Sequence, residues 1–415
     1  MNNKKNDIAK YLLVLLIGIG AGILIMNIPG VSKNSYTKSY TPKSDEFEPL
    51  YEAYDTLMEK YYKDIDKEEL INGAIDGMMN SLGDKHTMFF DKKEKEAFET
   101  ELSGSYYGIG AEISKTTDDE VMISKIFDDS PASKAGLQSG DIFVSIDGKS
   151  VKGQTPSEIS SNLRSNNKSN SVLIIKRNKK EITFDVEKDN VTLLSISSEM
   201  LDGNIGYVAV SIFGENTDEQ FKKALSKLEE EGMKSLIIDL RGNGGGYLST
   251  VSKMVSEFVD SDTIFIQMRV RNMVNKYTAL NDNTKNYKVI ILVDNNSASA
   301  SEIMTSALQE QYGATVVGVT TYGKGTVQET KDLSNGTLIK YTIEEWLTSM
   351  GNSINDVGIK PDVEVELSEK YKENPSREND NQLQKAIELA KWCKKHHFFL
   401  FFFIGFYCRN IDEMI

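Results

Sequence analysis

The stretch 288–328, KVIILVDNNSASASEIMTSALQEQYGATVVGVTTYGKGTVQ, constrains the fold more than any other part of this 415-residue chain. Residues 289–293 form a continuous apolar run, as a strand covered on both faces requires. Asp294-Asn295-Asn296 breaks it. Ser299-Ala300-Ser301-Glu302 then opens a helix, with Ile303, Ala307 and Leu308 at helical spacing. A second strand over 315–319 follows, and then Tyr322-Gly323-Lys324-Gly325-Thr326, a lysine held between two glycines. The order strand, helix, strand points to an α/β core.

A small hydroxyl residue where a turn becomes a helix lies beside unbonded N–H groups and the positive end of the helix dipole, a place able to stabilise an oxyanion. A serine and a lysine on successive loops of one sheet suggest a nucleophile and its base. Serine attacks poorly until a base takes its proton, and a desolvated lysine can be that base. The chain has three histidines. His396 and His397 lie in the C-terminal tail, and His86 sits far upstream with no local motif, so a Ser-His-Asp triad finds little support. On periodicity alone, Ser297, Ser299 and Ser301 could equally be helix-capping residues and Lys324 a surface lysine.

SASASEI followed by YGKGTVQ resembles the signature of the C-terminal processing peptidases, tail-specific serine proteases with a Ser-Lys site. The resemblance runs from about residue 45 to about residue 390. It implies that Ser299 is the nucleophile, Lys324 the general base and Gln328 the residue that orients the lysine. Upstream, residues 236–241 read as a buried strand that feeds Gly242-Asn243-Gly244-Gly245-Gly246. No Gly-Lys-Ser/Thr follows, so this is not a nucleotide loop. It is similar to the family's DLRxNxGG element, which implies that the amides of Gly245 and Ala300 form the oxyanion hole. Loss of one such donor commonly costs about 3 kcal/mol. Asp239 and Arg241 read as a structural pair. The family implies a crotonase/ClpP-like α/β protease core that needs no metal or cofactor.

Residues 102–187 look like a PDZ domain. Ser130-Pro131-Ala132-Ser133-Lys134-Ala135-Gly136-Leu137, followed by Gly140-Asp141-Ile142, resembles the short helix and turn of protease-linked PDZ domains. Ser105-Tyr106-Tyr107-Gly108-Ile109-Gly110-Ala111 is the expected carboxylate-binding loop. The candidate contacts are Tyr107, Gly108, Ile109, Gly110 and Ala111. Glycines let backbone N–H groups approach a peptide C-terminus, and a strand edge over 109–113 can pair with the peptide backbone. A helix over 156–163 should flank the groove, and Arg164 matches a position after it for which gating is a hypothesis.

Residues 11–28 are almost wholly apolar, with no charge between Lys10 and Lys33, long enough to span a bilayer. Ile25-Met26-Asn27-Ile28-Pro29-Gly30 offers no good small-x-small cleavage site, which favours an uncleaved anchor over a signal peptide. The flanking lysines tie, Lys4, Lys5 and Lys10 against Lys33, Lys38 and Lys43. The bulk is placed on the extracytoplasmic face because a short N-terminal segment before one span acts as a signal anchor, and because the family works there. The net charge of −14 argues against a nucleic-acid partner.

The expected order is a cytoplasmic stub 1–10, a transmembrane anchor 11–29, a linker 30–46, an N-terminal helical region 47–101, the PDZ domain 102–187, the protease core 188–370 and a C-terminal helix with an atypical apolar tail 371–415. In the family the helical region often builds a dimer contact, so a homodimer is one expectation and packing on the core another. His86, in Gly83-Asp84-Lys85-His86-Thr87, reads as structural. Cys393, His396, His397 and Cys408 match no trusted zinc spacing. The function expected is a membrane-anchored serine endopeptidase that captures substrate protein C-termini. The alternative is a catalytically silent, membrane-tethered PDZ peptide-binding module.

Overall fold

Ser235–Asp239 and Lys288–Val293 lie parallel at the centre of a six-stranded sheet. The alternation of their side chains explains why both runs are so apolar. Leu236, Ile238, Val289, Ile291 and Val293 enter one core with the helices Thr217–Glu230, Leu248–Val255 and Ala300–Ala307. Ile237, Ile290 and Leu292 enter a second core against Leu383, Ala386 and Ala390 of the helix Asn381–Lys391. With both faces covered, no position on either strand can be polar without a partner. The sheet runs Ile196–Leu201, Ile205–Val210, Ser235–Asp239, Lys288–Val293, Thr315–Gly318, Val363–Glu364. Only its first pair is antiparallel.

This computed structural model describes residues 44–116, 118–165, 169–282 and 285–391. The expected anchor at 11–29 and the four Cys and His residues of the tail lie outside these. Among the described residues no helix is long and apolar enough to cross a membrane, and no cluster of side chains could hold a metal ion.

The chain forms two compact units, Ser103–Leu194 and the remainder. In the larger unit a second, antiparallel sheet is built around the long strand Leu338–Leu347. Thr326–Asp332 pairs with it along one edge, and Ile264–Val270 and the short strand Met88–Phe90 pair with it as well. The residues just after the N-terminal helices thus become a strand of the protease sheet. The helices themselves, Glu48–Lys60 and Lys67–Asn80, bury no residue. Asp66 caps the second by accepting from the N–H groups of Glu68 and Glu69.

The smaller unit has a six-stranded sheet, Ala111–Lys115, Val121–Ile126, Ile142–Ile146, Asn170–Arg177 and Lys180–Glu187 in order, with Lys149–Ser150 beside Ile142–Ile146. Its helices are Pro131–Ala135 and Pro156–Ser165. Ile123, Ala132, Ile159, Leu173, Ile175 and Val186 are fully buried in its core.

The C-terminal helix is tied down by charge. Arg241 donates to Asp239 (2.6 Å) and Asp380 (2.8 Å), and Tyr207 donates to Asp239 (2.8 Å). All three ionised groups are largely buried. Asp380 also accepts from the Leu383 N–H in the first turn of the helix. Removing one partner of a buried ionic network strands the others. Arg241→Met is therefore expected to lower unfolding stability by about 3 kcal/mol or more in urea titrations, and an unchanged midpoint would contradict this role.

Candidate active site

The turn between Lys288–Val293 and Ala300–Ala307 carries three serines in different circumstances. Ser297 donates to the Leu240 carbonyl (2.8 Å) and Ser301 to the Asn243 carbonyl (2.8 Å). Both hydroxyls thus tie the turn to the glycine-rich loop. Ser299 stands at the N-cap with φ 54° and ψ −113°, a sparsely populated conformation for a residue with a Cβ. The buried neighbours on both sides hold it there. The first N–H groups of the helix, among them that of Ala300, have no intrahelical carbonyl to meet.

Glu302 organises the site. It is fully buried, and its carboxylate accepts four hydrogen bonds. Oε1 takes the Thr321 hydroxyl (2.6 Å) and the Gly323 N–H (2.6 Å). Oε2 takes the N–H groups of Ser299 (2.9 Å) and Lys324 (2.9 Å). One oxygen therefore fixes the backbone of both candidates, whose main-chain nitrogens lie at most two hydrogen-bond lengths apart. Burial pushes the Glu302 carboxyl above its ordinary range, and the four donors pull it back. The lysine loop is held elsewhere by Tyr322 N–H on the Ser297 carbonyl (3.0 Å) and by the Trp346 indole on the Lys324 carbonyl (2.7 Å).

Lys324 is fully buried. Burial above all, then the nearby Lys340 ammonium, hold its amine well below the ordinary value, against the pull of Glu302 and Asp84. Lys340 is itself buried, and burial brings it down to about 8. Gln328 is buried too, and its Nε2 donates to Thr326 Oγ1 (2.9 Å) and Thr342 Oγ1 (3.2 Å). His86 lies close by. Burial above all pushes it down to about 3, so it stays neutral at ordinary pH.

Gly245 packs against Ser299. A Cβ there would come within 2.8 Å of the Ser299 Cβ, and its φ of 114° suits only glycine. Its N–H, however, donates to Asn243 Oδ1 at 2.9 Å. The amide can serve an oxyanion only by leaving that bond. Asn243 is fully buried and also donates to the Val210 carbonyl (2.8 Å), while its own carbonyl accepts from the Ala298 N–H (3.0 Å). It thus staples the glycine loop to the serine turn.

In the smaller unit the expected carboxylate loop is narrower than the sequence suggested. Tyr107 and Gly108 belong to the strand Ser105–Gly108, paired opposite Asn190 and Asp189. Ile109 is buried in the core, and its carbonyl accepts from the Ala132 N–H (2.7 Å). That leaves the amides of Gly110 and Ala111, and these bear on the Tyr106 phenol. The Arg164 guanidinium lies 4.8 Å from the Tyr106 ring centroid, and its buried Nε has no hydrogen-bond partner among the described residues. Among the described residues Ala111–Lys115 pairs only on its Val121–Ile126 side.

Glu302, Asn243 and Lys340 escaped the sequence reading. Glu302 and Asn243 were visible inside the quoted motifs, but nothing local marks a carboxylate with four donors. Lys340 had no signal at all.

Three family models match the chain: "Peptidase family S41" over residues 204–365, "PDZ domain" over 122–177 and "Activating protease CtpB N-terminal domain" over 23–94. Carboxy-terminal processing protease CtpA of Bacillus subtilis (strain 168) is 33% identical over 365 residues, spanning 88% of this chain and 78% of that protein. Carboxy-terminal processing protease CtpB of the same strain is 35% identical over 367 residues, spanning 86% and 76%. Among solved structures, the photosystem II D1 C-terminal processing protease aligns with a TM-score of 0.45 and 25% identity, over 79% of this chain and 89% of that one.

Proposed function

The chain belongs to peptidase family S41, with the carboxy-terminal processing proteases, and is a serine-type protease with a PDZ domain; on that premise we propose that Ser299 and Lys324 are its nucleophile and base, and that it works on protein C-termini at the extracytoplasmic face of a membrane. The observation that carries the catalytic reading is the fully buried Lys324, locked to the same Glu302 oxygen as Ser299.

Neutral Lys324 takes the Ser299 proton as Oγ bonds to the scissile carbonyl carbon. The carbonyl electrons move to oxygen, which the Ala300 N–H receives. The Gly245 N–H joins once it leaves Asn243. Backbone donors of this kind are preorganised and cost no reorientation of solvent. The tetrahedral centre collapses, the amine departs with the proton from Lys324, and an acyl-serine remains. Water, deprotonated by the same lysine, releases the acyl group and restores Ser299.

The PDZ unit supports capture of a C-terminus. Its strand Ala111–Lys115, near the helix Pro156–Ser165, has an edge that no described residue pairs with, which suits an extended peptide, and the Gly110 and Ala111 amides suit a carboxylate. The apolar stretch 11–28 supports a membrane anchor. A homodimer through Glu48–Lys60 belongs to the same reading, because this helix buries no residue and exposes Leu50, Tyr51 and Leu57.

The test compares the wild type with Ser299→Ala on an unstructured protein ending in apolar residues, free or amidated at its C-terminus, with products read by mass spectrometry. Cleavage by the wild type alone, weakened by amidation, is the expected result. Tight binding of the free C-terminus with no cleavage by either protein would favour a binding module instead.

A further inference from the structure

The geometry points to Asp84 as a positioning residue of the reaction: we infer that its carboxylate, acting through the Thr342 hydroxyl, dictates which end of the Gln328 amide faces the base. The inference rests on the reading of Gln328 as the residue that orients Lys324.

The strand Met88–Phe90 pairs with Leu338–Leu347, Met88 opposite Lys340. This docks the preceding turn against the middle of the long strand. Asp84 Oδ2 accepts from the hydroxyls of Thr342 (2.6 Å) and Thr87 (2.7 Å), and Oδ1 accepts from the His86 N–H (2.9 Å). The Thr342 N–H donates to Thr87 Oγ1 (3.2 Å), which closes a ring. A register shift between Val327 and Gln328 then sets Gln328 opposite Thr342. Such an irregularity re-aims a side chain.

A threonine hydroxyl has one proton. Because Asp84 is a strong acceptor, the Thr342 proton goes to it. The Thr342 oxygen can then only accept from Gln328. So the amide must present Nε2, as it does at 3.2 Å, and its carbonyl oxygen must point elsewhere. A carbonyl oxygen is the end that can receive an N–H from a lysine. Without the Asp84 charge, the Thr342 hydroxyl could donate to Gln328 Oε1 and the amide could turn over.

The charged and titratable groups around Lys324 are Lys340 on the long strand, Glu302 on the serine helix, and Asp84, Lys85 and His86 in the turn. A negative Asp84 favours the protonated lysine, so neutralising it moves the acid limb of the pH–rate profile to lower pH. That shift comes from the lost charge itself, so the kcat of the Thr342 variants and of the double variant separates a positioning role from a structural one.

The experiment measures kcat, KM and the pH dependence of kcat/KM on a disordered protein substrate, using the full chain. Asp84→Asn is expected to lower kcat about tenfold or more with KM little changed, since small misplacements of catalytic groups cost up to about 100-fold. Its acid limb should shift to lower pH. Thr342→Val, which removes the hydroxyl at constant shape, should lose kcat similarly, and Thr342→Ser should recover most of the loss. In a Gln328→Ala background, Asp84→Asn should cause no further fall. Additive losses in that double variant, or wild-type kcat in Thr342→Val, would each overturn the inference. If Gln328→Ala alone keeps full kcat, the role of Gln328 falls and this inference with it. If Gln328→Ala loses kcat and Asp84→Asn adds its own loss, Gln328 stands and only Asp84 falls.

Discussion

Lys324→Met is expected to abolish cleavage while making the protein more stable. Methionine matches the lysine stem in length and needs no proton partner, so the fold should persist. What disappears is the base, and general-base catalysis contributes about 100- to 10,000-fold. The stability gain follows from linkage. The folded amine has a value below its ordinary 10.5, so between the two the unfolded chain holds a proton that the folded chain lacks. Wild-type stability therefore falls as pH drops from 10.5 toward the folded value, and it levels off below that. The methionine variant has no such term. Its advantage in melting temperature should be absent above the ordinary lysine value and grow as pH falls. The wild-type kcat/KM should rise with pH along a limb centred below 10.5. Retained turnover in Lys324→Met, or a lower melting temperature at neutral pH, would refute the assignment. Active sites commonly carry such a cost, since a group tuned for chemistry is seldom the one best for packing.

Glu302→Gln should damage both stability and catalysis, although it changes one atom. Four donors converge on the carboxylate, two on each oxygen. An amide offers one oxygen and one NH2, so two of those donors would face another donor. Breaking a buried charged network of this kind costs about 3–5 kcal/mol. The catalytic loss follows because Ser299 and Lys324 are held through the same oxygen. When it goes, the strained Ser299 backbone can relax and the lysine loop loses its registration. A fall in kcat of about 100-fold is expected for a displacement near 1 Å. Denaturant titration and steady-state kinetics check both halves. A variant with wild-type stability and kcat would show that the four bonds organise nothing.

The two variants separate what was legible beforehand. Lys324 could be found in the sequence because a lysine between two glycines, after a strand–turn–helix–strand pattern, suggests a base, and the resemblance of YGKGTVQ to the family motif singles it out from a surface lysine. Glu302 could not, because a glutamate in the first turn of a helix is ordinary and its meaning lies in the Thr321–Lys324 loop folded onto it. The same contrast holds in the PDZ unit. The run from Ser130 to Leu137 announced its short helix, while the pairing of Tyr107 and Gly108 with Asn190 and Asp189 needed a strand more than 80 residues away.

The sequence by itself determined the strands, which follow from apolar runs covered on two faces, the turn that presents Ser299, the Gly-Lys-Gly loop and the family. The strands, the turn and the loop are short-range consequences of side-chain period and turn chemistry, and the family is carried by the resemblance of the SASASEI and YGKGTVQ motifs. Tertiary structure alone decided three further things. It set the Ala298 N–H on the Asn243 carbonyl and brought Lys340 up to Lys324. It also carried Asp84 to Thr342 across 258 positions of chain. Hydrogen bonds and charges act over a few ångströms whatever the separation along the chain, so pairs of that kind leave no local trace until the sheets bring them together.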